Sequence, residues 1–248
     1  MNPRIMVAIP CYQGNVQVKC MESVLKLSSL LRDLNIEMEF FTITFESLIP
    51  RARNGCAGYF LNSKCTHLLF IDGDIIFNPV DVIKMINAKK EVIAGSYPKK
   101  SIKYELLENA CKSSVNLQEA IAKSVNYASN FKKDGEKQGS IIEVLDAPTG
   151  FMLIARPVFT KLMNEFPEIK YKNDIVVYKA SEYKDYMYDF FQSTIIDGRY
   201  LSEDYGFCRL YQKLPNSKIF IDFSINLTHV GNFNFVGNPY LRYFEPKE

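Results

Sequence analysis

Thr66-His-Leu-Leu-Phe-Ile-Asp-Gly-Asp-Ile-Ile-Phe77 is the stretch on which the rest of the chain hangs. Thr66 to Ile71 is a short apolar run of the kind that forms a strand buried on both faces. It runs straight into Asp72-Gly-Asp74, so two carboxylates leave the sheet together. In open α/β sheets, ligands bind beyond the carboxyl ends of strands. Desolvated acids there need a compensating cation, because burying an unpaired charge is costly. A divalent metal carrying phosphate oxygens supplies one. Gly73 permits a tight turn and close ligand approach. Asp-Gly is also a common turn dipeptide, and it is the preceding strand that gives this pair its weight.

Working outward, Arg4-Ile-Met-Val-Ala-Ile-Pro10 reads as a first buried strand, followed by a loop at Cys11-Tyr-Gln-Gly14. Residues 16–31 show helical spacing, with Val18, Met21, Val24, Leu25 and Leu31 along one side. Residues 37–45 are aromatic and β-branched, a second strand. Pro50 opens a second helix through Arg53, Cys56, Ala57 and Phe60. Asn78-Pro79 is an N-cap followed by proline at the first helical position, starting a helix to about Lys89. Residues 91–96 form a fourth strand. This alternation over about 100 residues predicts an α/β fold, a mostly parallel sheet covered by helices on both faces.

The middle differs. Ser101 to Ser140 is polar and charged, ending in Lys132-Lys-Asp-Gly-Glu-Lys-Gln-Gly139. It reads as a partly mobile insertion whose interleaved lysines and acids make a solvated face. Residues 141–145 and 150–154 read as strands, and 157–166 as a helix. Ser202 caps a helix through Leu214, Pro215 ends it, and 219–225 is a last strand. With no internal repeat or linker, one domain over residues 1–248 is expected, carrying the insertion at about 101–140 and an aromatic tail at about 232–248.

Composition narrows the function classes. The 248 residues are 47% hydrophobic and 23% charged, ordinary globular values. Thirty Lys+Arg against 28 Asp+Glu leave a net charge of +2, which gives no field for a nucleic-acid partner. There is no Trp, while 18 Phe and 15 Tyr supply core area. Six cysteines without a C-x-x-C pair read as reduced, mostly buried thiols of a cytoplasmic protein. Two histidines make a Cys/His zinc cluster a poor fit. The N-terminal run is broken too early by Pro10 for a signal peptide, and no apolar run is long enough for a membrane span.

Three further segments carry chemistry. In Leu201-Ser-Glu-Asp-Tyr-Gly-Phe-Cys-Arg209, a Ser202 cap places Glu203 and Asp204 in the first helical turn. There the helix dipole favours acids and keeps a carboxylate ionised, ready to act as a general base. Thr228-His-Val-Gly231 follows the last strand, and an imidazole beside carboxylates suits Mn²⁺ better than Ca²⁺. His67 lies at the opposite end of its strand and reads as structural. Arg51-Ala-Arg-Asn54 offers side chains that bind a nucleotide or phosphate, or cover a surface.

In this order, Val7-Ala-Ile-Pro-Cys-Tyr12, Arg51-Ala-Arg-Asn54, Phe70-Ile-Asp-Gly-Asp74, Ala147-Pro-Thr-Gly-Phe151, Ser202-Glu-Asp204 and His229-Val-Gly231 resemble the GT-A-fold glycosyltransferases. The resemblance is to the inverting, family-2-like group, especially small single-domain viral and bacterial members. It spans roughly residues 4–231; each motif is short, and the ordered set makes it specific. It implies a nucleotide-sugar donor, most often UDP-linked, with Mn²⁺ or Mg²⁺ as cofactor. The acceptor is a hydroxyl on a glycan, glycoprotein or glycolipid. By that resemblance Pro10, Cys11 and Tyr12 line uracil and ribose, and Arg51 and Asn54 reach the nucleotide from the side. Asp72 faces ribose or metal-bound water, Asp74 binds metal directly, and His229 is a late-chain metal ligand. Gly150 leaves room for sugar or acceptor, Glu203 holds sugar hydroxyls, and Asp204 deprotonates the acceptor.

Processive family-2 synthases carry Q-x-x-R-W after the Glu-Asp pair. A chain without Trp departs from that pattern and fits transfer of a single sugar. The insertion matches no family motif and is an acceptor region or lid. The tail from Asn232 folds over the donor or packs as an extension. A sugar-1-phosphate nucleotidyltransferase would carry a Gly-rich basic loop after the first strand, where Cys11-Tyr-Gln-Gly-Asn15 has one glycine and no base. A haloacid-type phosphatase carries its D-x-D on the first strand, not the third. A non-catalytic nucleotide-sugar-binding module of the same fold is the alternative from another class.

Overall fold

The computed structural model describes residues 2–173 and 183–244. The strands are β1 (Arg4–Cys11), β2 (Glu37–Thr44), β3 (His67–Ile71), β4 (Ile75–Ile76), β5 (Val92–Ala94), β6 (Pro98–Ile102), β7 (Val125–Tyr127) and β8 (Asn130–Phe131). They continue with β9 (Lys137–Gln138), β10 (Ile141–Asp146), β11 (Phe151–Ala155), β12 (Thr194–Ile196), β13 (Arg199–Leu201), β14 (Ile219–Asp222), β15 (Thr228–Val230) and β16 (Asn234–Val236). The helices are α1 (Val18–Asp33), α2 (Ile49–Asn62), α3 (Pro79–Asn87), α4 (Tyr104–Ser113), α5 (Leu117–Ser124), α6 (Arg156–Glu165), α7 (Glu203–Tyr211) and α8 (Pro239–Tyr243).

The main sheet has the order β2-β1-β3-β11-β5-β14-β10-β8, with β9 also on β10. It is more mixed than expected. Parallel ladders join β1 to β2, β1 to β3 and β5 to β14; the other pairings are antiparallel. Two strands run in reverse: β10, beside β14, and β11, which inserts between β3 and β5 so that its start lies beside their ends.

Side-chain alternation splits the core in two. Met6, Ala8, Leu68, Phe70, Met152 and Ile154 pack with residues of α2, α6 and α7 on one face. Ile5, Val7, Ile9, Leu69, Ile71 and Leu153 pack with residues of α1 and α3 on the other. All are essentially inaccessible, which is why β1 and β3 read as unbroken apolar runs. Asn78 caps α3 as expected, its side chain accepting from the Val80 amide.

Several local expectations are corrected. The buried face of α1 is Cys20, Val24, Leu27 and Leu31, spaced 4, 3 and 4, while Val18 and Leu25 are exposed. The segment expected as a partly mobile polar insertion folds into α4, α5 and short strands. Its interleaved charges are partly i,i+4 helical pairs, Lys112 with Glu108 and Lys123 with Glu119. The described tail packs as an extension, with β16 pairing with β15 and Phe235 opposite His229. Phe235 joins Val125 and Tyr127 in a small satellite core, and Tyr243 rests edge-on against Phe131 and Phe223. Among the described residues no helix is long and apolar enough to cross a membrane. All six cysteines are free, and only Cys111 is exposed.

Candidate active site

The edge where β1, β3 and β5 end holds a cleft of about 470 Å³. Its walls include Pro10, Cys11 and Tyr12 from β1 and its loop, Asp72, Gly73 and Asp74 beyond β3, and Ile49 and Arg53 from α2. Glu203 from α7 and His229 from β15 complete it.

Alternation places Asp72. Leu68 and Phe70 face α2, so the next even residue faces α2 as well, where Arg53 waits. Arg53 donates from Nη2 to Asp72 Oδ1 at 3.0 Å and from Nε to Glu203 Oε1 at 3.2 Å, with its guanidinium over the Phe70 ring. The Arg53 side chain is 5% exposed, so its guanidinium is desolvated, while Asp72 and Glu203 keep 28% and 17% of their exposure. Burial alone would lower the Arg53 pKa; Asp72 and Glu203 more than offset it and raise it. Arg53 Nη1 is buried with no partner.

Asp74 belongs to a second cluster. β4 leaves the Asp72-Gly-Asp74 turn and pairs with β15, with His229 opposite Ile75, and the Val230 amide donates to the Asp74 carbonyl at 2.8 Å. His229 Nε2 thereby faces Asp74 Oδ2 at 3.4 Å. The other ring nitrogen, Nδ1, lies 2.9 Å from the Pro98 carbonyl, which can only accept, so Nδ1 carries the proton. In the neutral ring Nε2 is then a lone pair aimed at a carboxylate oxygen. Lys100 Nζ also reaches that oxygen, at 2.5 Å. Burial alone would raise the Asp74 pKa, but Lys100, and His229 when its ring carries a proton on both nitrogens, hold it below the ordinary value.

These facts bear on the expected metal. A histidine whose second nitrogen is pinned to a carbonyl, beside a carboxylate oxygen, is the usual arrangement of a metal-ligating imidazole. Asp74 and His229 therefore fit a divalent ion whose remaining ligands come from a substrate and water. Asp72 does not complete a set with them, because Arg53 holds it. Among the described residues no three His, Cys, Asp or Glu side chains group around a metal position.

Glu203 and Asp204 separate. Glu203 lines the cleft on Arg53. Asp204 does not line it; Oδ1 accepts from the Ser202 hydroxyl and from the Tyr205 amide at 2.8 Å. Burial raises its pKa, and the Ser202 hydrogen bond opposes the rise. The Ser202 side chain spends itself on Asp204 and makes no backbone cap, contrary to expectation. The helix also stops at Tyr211, short of Leu214.

Two expected nucleotide contacts are not in the cleft. Asn54 is 2% exposed; it donates to Asp189 at 2.7 Å and accepts from the Phe191 amide at 2.9 Å, so it ties a distant segment to α2. Arg51 pairs with Glu46 through both Nε and Nη2. Residues 51 and 53 sit about 200° apart around a helix, so the fold admits only one of them to the site. Gly150 leaves room for protein rather than sugar. A Cβ there would run into Asp72 Oδ2 and stand 2.6 Å from Tyr97 Oη, and the Asp72 amide donates to the Gly150 carbonyl at 2.9 Å. Cys11 turns its thiol back to the Ile9 carbonyl, while Tyr12 is 56% exposed. His67 bonds Thr66 Oγ1 at the far end of β3.

Arg53, Tyr97 and Lys100 are the residues missed by sequence reasoning. Arg53 carried a signal, since it lies three, four and seven positions before Cys56, Ala57 and Phe60, on the buried stripe of α2. Burial and then the Asp72 charge push the Tyr97 phenol well above its ordinary pKa. No pattern singled out Tyr97 or Lys100.

No protein-family model matches the sequence, and no curated protein matches it. The fold is similar to that of A197 from STIV, with a TM-score of 0.50 at 18% identity over 92% of this chain and 86% of that one. Two other solved structures align more loosely. One is a glycosyltransferase involved in the glycosylation of the major capsid of PBCV-1, at TM-score 0.31 and 11% identity over 66% of this chain and 68% of that one. The other is 4-diphosphocytidyl-2C-methyl-D-erythritolsynthase from Anaerococcus prevotii DSM 20548, at 0.34 and 10% identity over 86% and 99%. Those two scores decide nothing about this chain; the first shows a shared fold and no more.

Proposed function

We propose that this chain is a GT-A-type glycosyltransferase that moves one sugar from a nucleotide-sugar, UDP-linked in the first instance, to an acceptor hydroxyl. The observation that carries the reading is the meeting of Asp74 with His229 at the end of β3, beside Arg53, Asp72 and Glu203. That edge is where open α/β sheets bind nucleotides. Pro10, Cys11 and Tyr12 form the wall available to base and ribose. A divalent ion on Asp74 and His229 would neutralise charge on the departing diphosphate.

Asp204 is the proposed base. Glu203 is committed to Arg53, whereas Asp204 forms none of the described ion pairs, and burial raises its pKa above the ordinary value. In the step, the acceptor O–H proton passes to the Asp204 carboxylate and the oxygen forms a bond to the anomeric carbon. The bond from that carbon to the phosphate oxygen breaks, and its electron pair leaves with the nucleoside diphosphate. A single displacement of this kind inverts the anomeric centre. Arg53 orients Asp72 and Glu203 toward the sugar and ribose hydroxyls.

The test is a screen of UDP-, GDP- and dTDP-sugars with Mn²⁺, read as nucleotide release. Release from one donor class supports the reading. Binding without release by any of them favours the non-catalytic module, and no binding removes the proposal.

A further inference from the structure

Lys100 is held at Asp74 by more than chance proximity. It lies on β6, and its stem crosses Gly231, where an added Cβ would stand 3.1 Å from Lys100 Cδ and 3.5 Å from Cγ. The glycine of His229-Val-Gly231 therefore leaves the channel that this stem occupies. The same strand supplies the Pro98 carbonyl that fixes the His229 tautomer. One strand thus sets the imidazole lone pair toward Asp74 and places an ammonium on the same carboxylate oxygen, Oδ2. The lysine side chain is 38% exposed, and its head rests on Asp74, which lines the cleft.

We propose that Lys100 is the built-in counter-ion of the Asp74–His229 pair: it occupies the place a divalent cation takes, and it moves to the phosphates when cation and nucleotide enter together. This rests on the nucleotide-sugar reading above. Lysine suits the role because its charge is compact and carried on a flexible stem. An ammonium and a divalent ion repel each other at one carboxylate oxygen, so a cation alone must displace Lys100. A diphosphate gives the displaced ammonium a new partner. Cation and diphosphate therefore bind with positive coupling, each strengthening the other by the same factor.

The test measures Mn²⁺ binding without nucleotide, by the electron paramagnetic resonance of free Mn²⁺, in the wild type and in Lys100→Met. Methionine keeps an unbranched stem over Gly231, and Lys100→Gln serves as a second variant. Both are expected to bind Mn²⁺ alone about fivefold more tightly, the factor matching a half-exposed ion pair that no longer has to be broken. Both are expected to bind inorganic pyrophosphate at saturating Mn²⁺, where Lys100 has left Asp74, about fivefold more weakly. Unchanged or weaker Mn²⁺ binding by the variants, or none by any of the proteins, overturns the counter-ion role. Unchanged pyrophosphate affinity overturns the movement to phosphate. Failure of the donor screen would remove the nucleotide-sugar reading while leaving the Mn²⁺ result readable.

Discussion

Arg53 Nη2 stands 3.0 Å from Asp72 Oδ1 in a part of the cleft floor where the arginine is almost wholly buried. That pair, extended to Glu203, sets the acidic geometry of the site. Arg53→Met leaves two carboxylates without their cation. Removing one partner of a buried pair costs about 3–5 kcal/mol, and a loss of that size is expected in urea unfolding. Asp72→Asn added to Arg53→Met should return part of it. Equal stability of wild type and Arg53→Met would mean that the buried guanidinium is not what compensates Asp72 and Glu203.

Gly150 and Gly73 make a contrasting pair. An added Cβ at Gly150 collides with Asp72 and Tyr97, whereas one at Gly73 finds nothing nearer than Asn15 O at 3.4 Å. Gly150→Ala is expected to lower stability by about 1–3 kcal/mol, as overpacking does. Gly73→Ala should stay within about 0.5 kcal/mol. Thermal unfolding of the two variants checks this, and a reversed order would contradict the packing around Asp72.

Ser202 tunes the proposed base. Burial raises the Asp204 pKa, and the Ser202 hydroxyl pulls it back. Transfer needs the deprotonated carboxylate, so activity falls as pH drops through the Asp204 pKa. Ser202→Ala removes the opposing hydrogen bond, and the acid limb of the pH–rate profile should move to higher pH. A limb that stays or moves down would remove Asp204 from the base role.

Asp204 also costs stability. A carboxyl whose folded pKa is raised binds more protons folded than unfolded, so stability falls as pH rises from the ordinary carboxylate value through the raised one. Asp204→Asn cannot ionise. Its Tm is expected to equal or exceed that of the wild type above that window, while transfer is lost and donor binding stays. A variant that loses binding and stability together would show a structural residue.

Much of this was legible in the sequence because burial writes itself as pattern. The alternation of Leu68, Leu69, Phe70 and Ile71 marks β3, and Asp72 is the next position on the α2 face. The reversal of β11 was not legible, since its apolar run looks the same in either direction. Arg51 was favoured over Arg53 because a charge on an apolar stripe of a helix is unexpected until its partners, here from β3 and α7, are in place. Lys100 was invisible for a similar reason. Its relation to Asp74 depends on β15 pairing with β4 and on β6 lying beside them, contacts that no local pattern records.

The most direct measurement is calorimetric titration of UDP, GDP and dTDP, each with Mn²⁺, into the wild type and Asp74→Asn. The account predicts that at least one nucleoside diphosphate binds the wild type and that Asp74→Asn loses most of that affinity, with its fold intact by circular dichroism. Binding that is indifferent to Asp74→Asn, or no binding of any of the three, would contradict a nucleotide-sugar site at the end of β3.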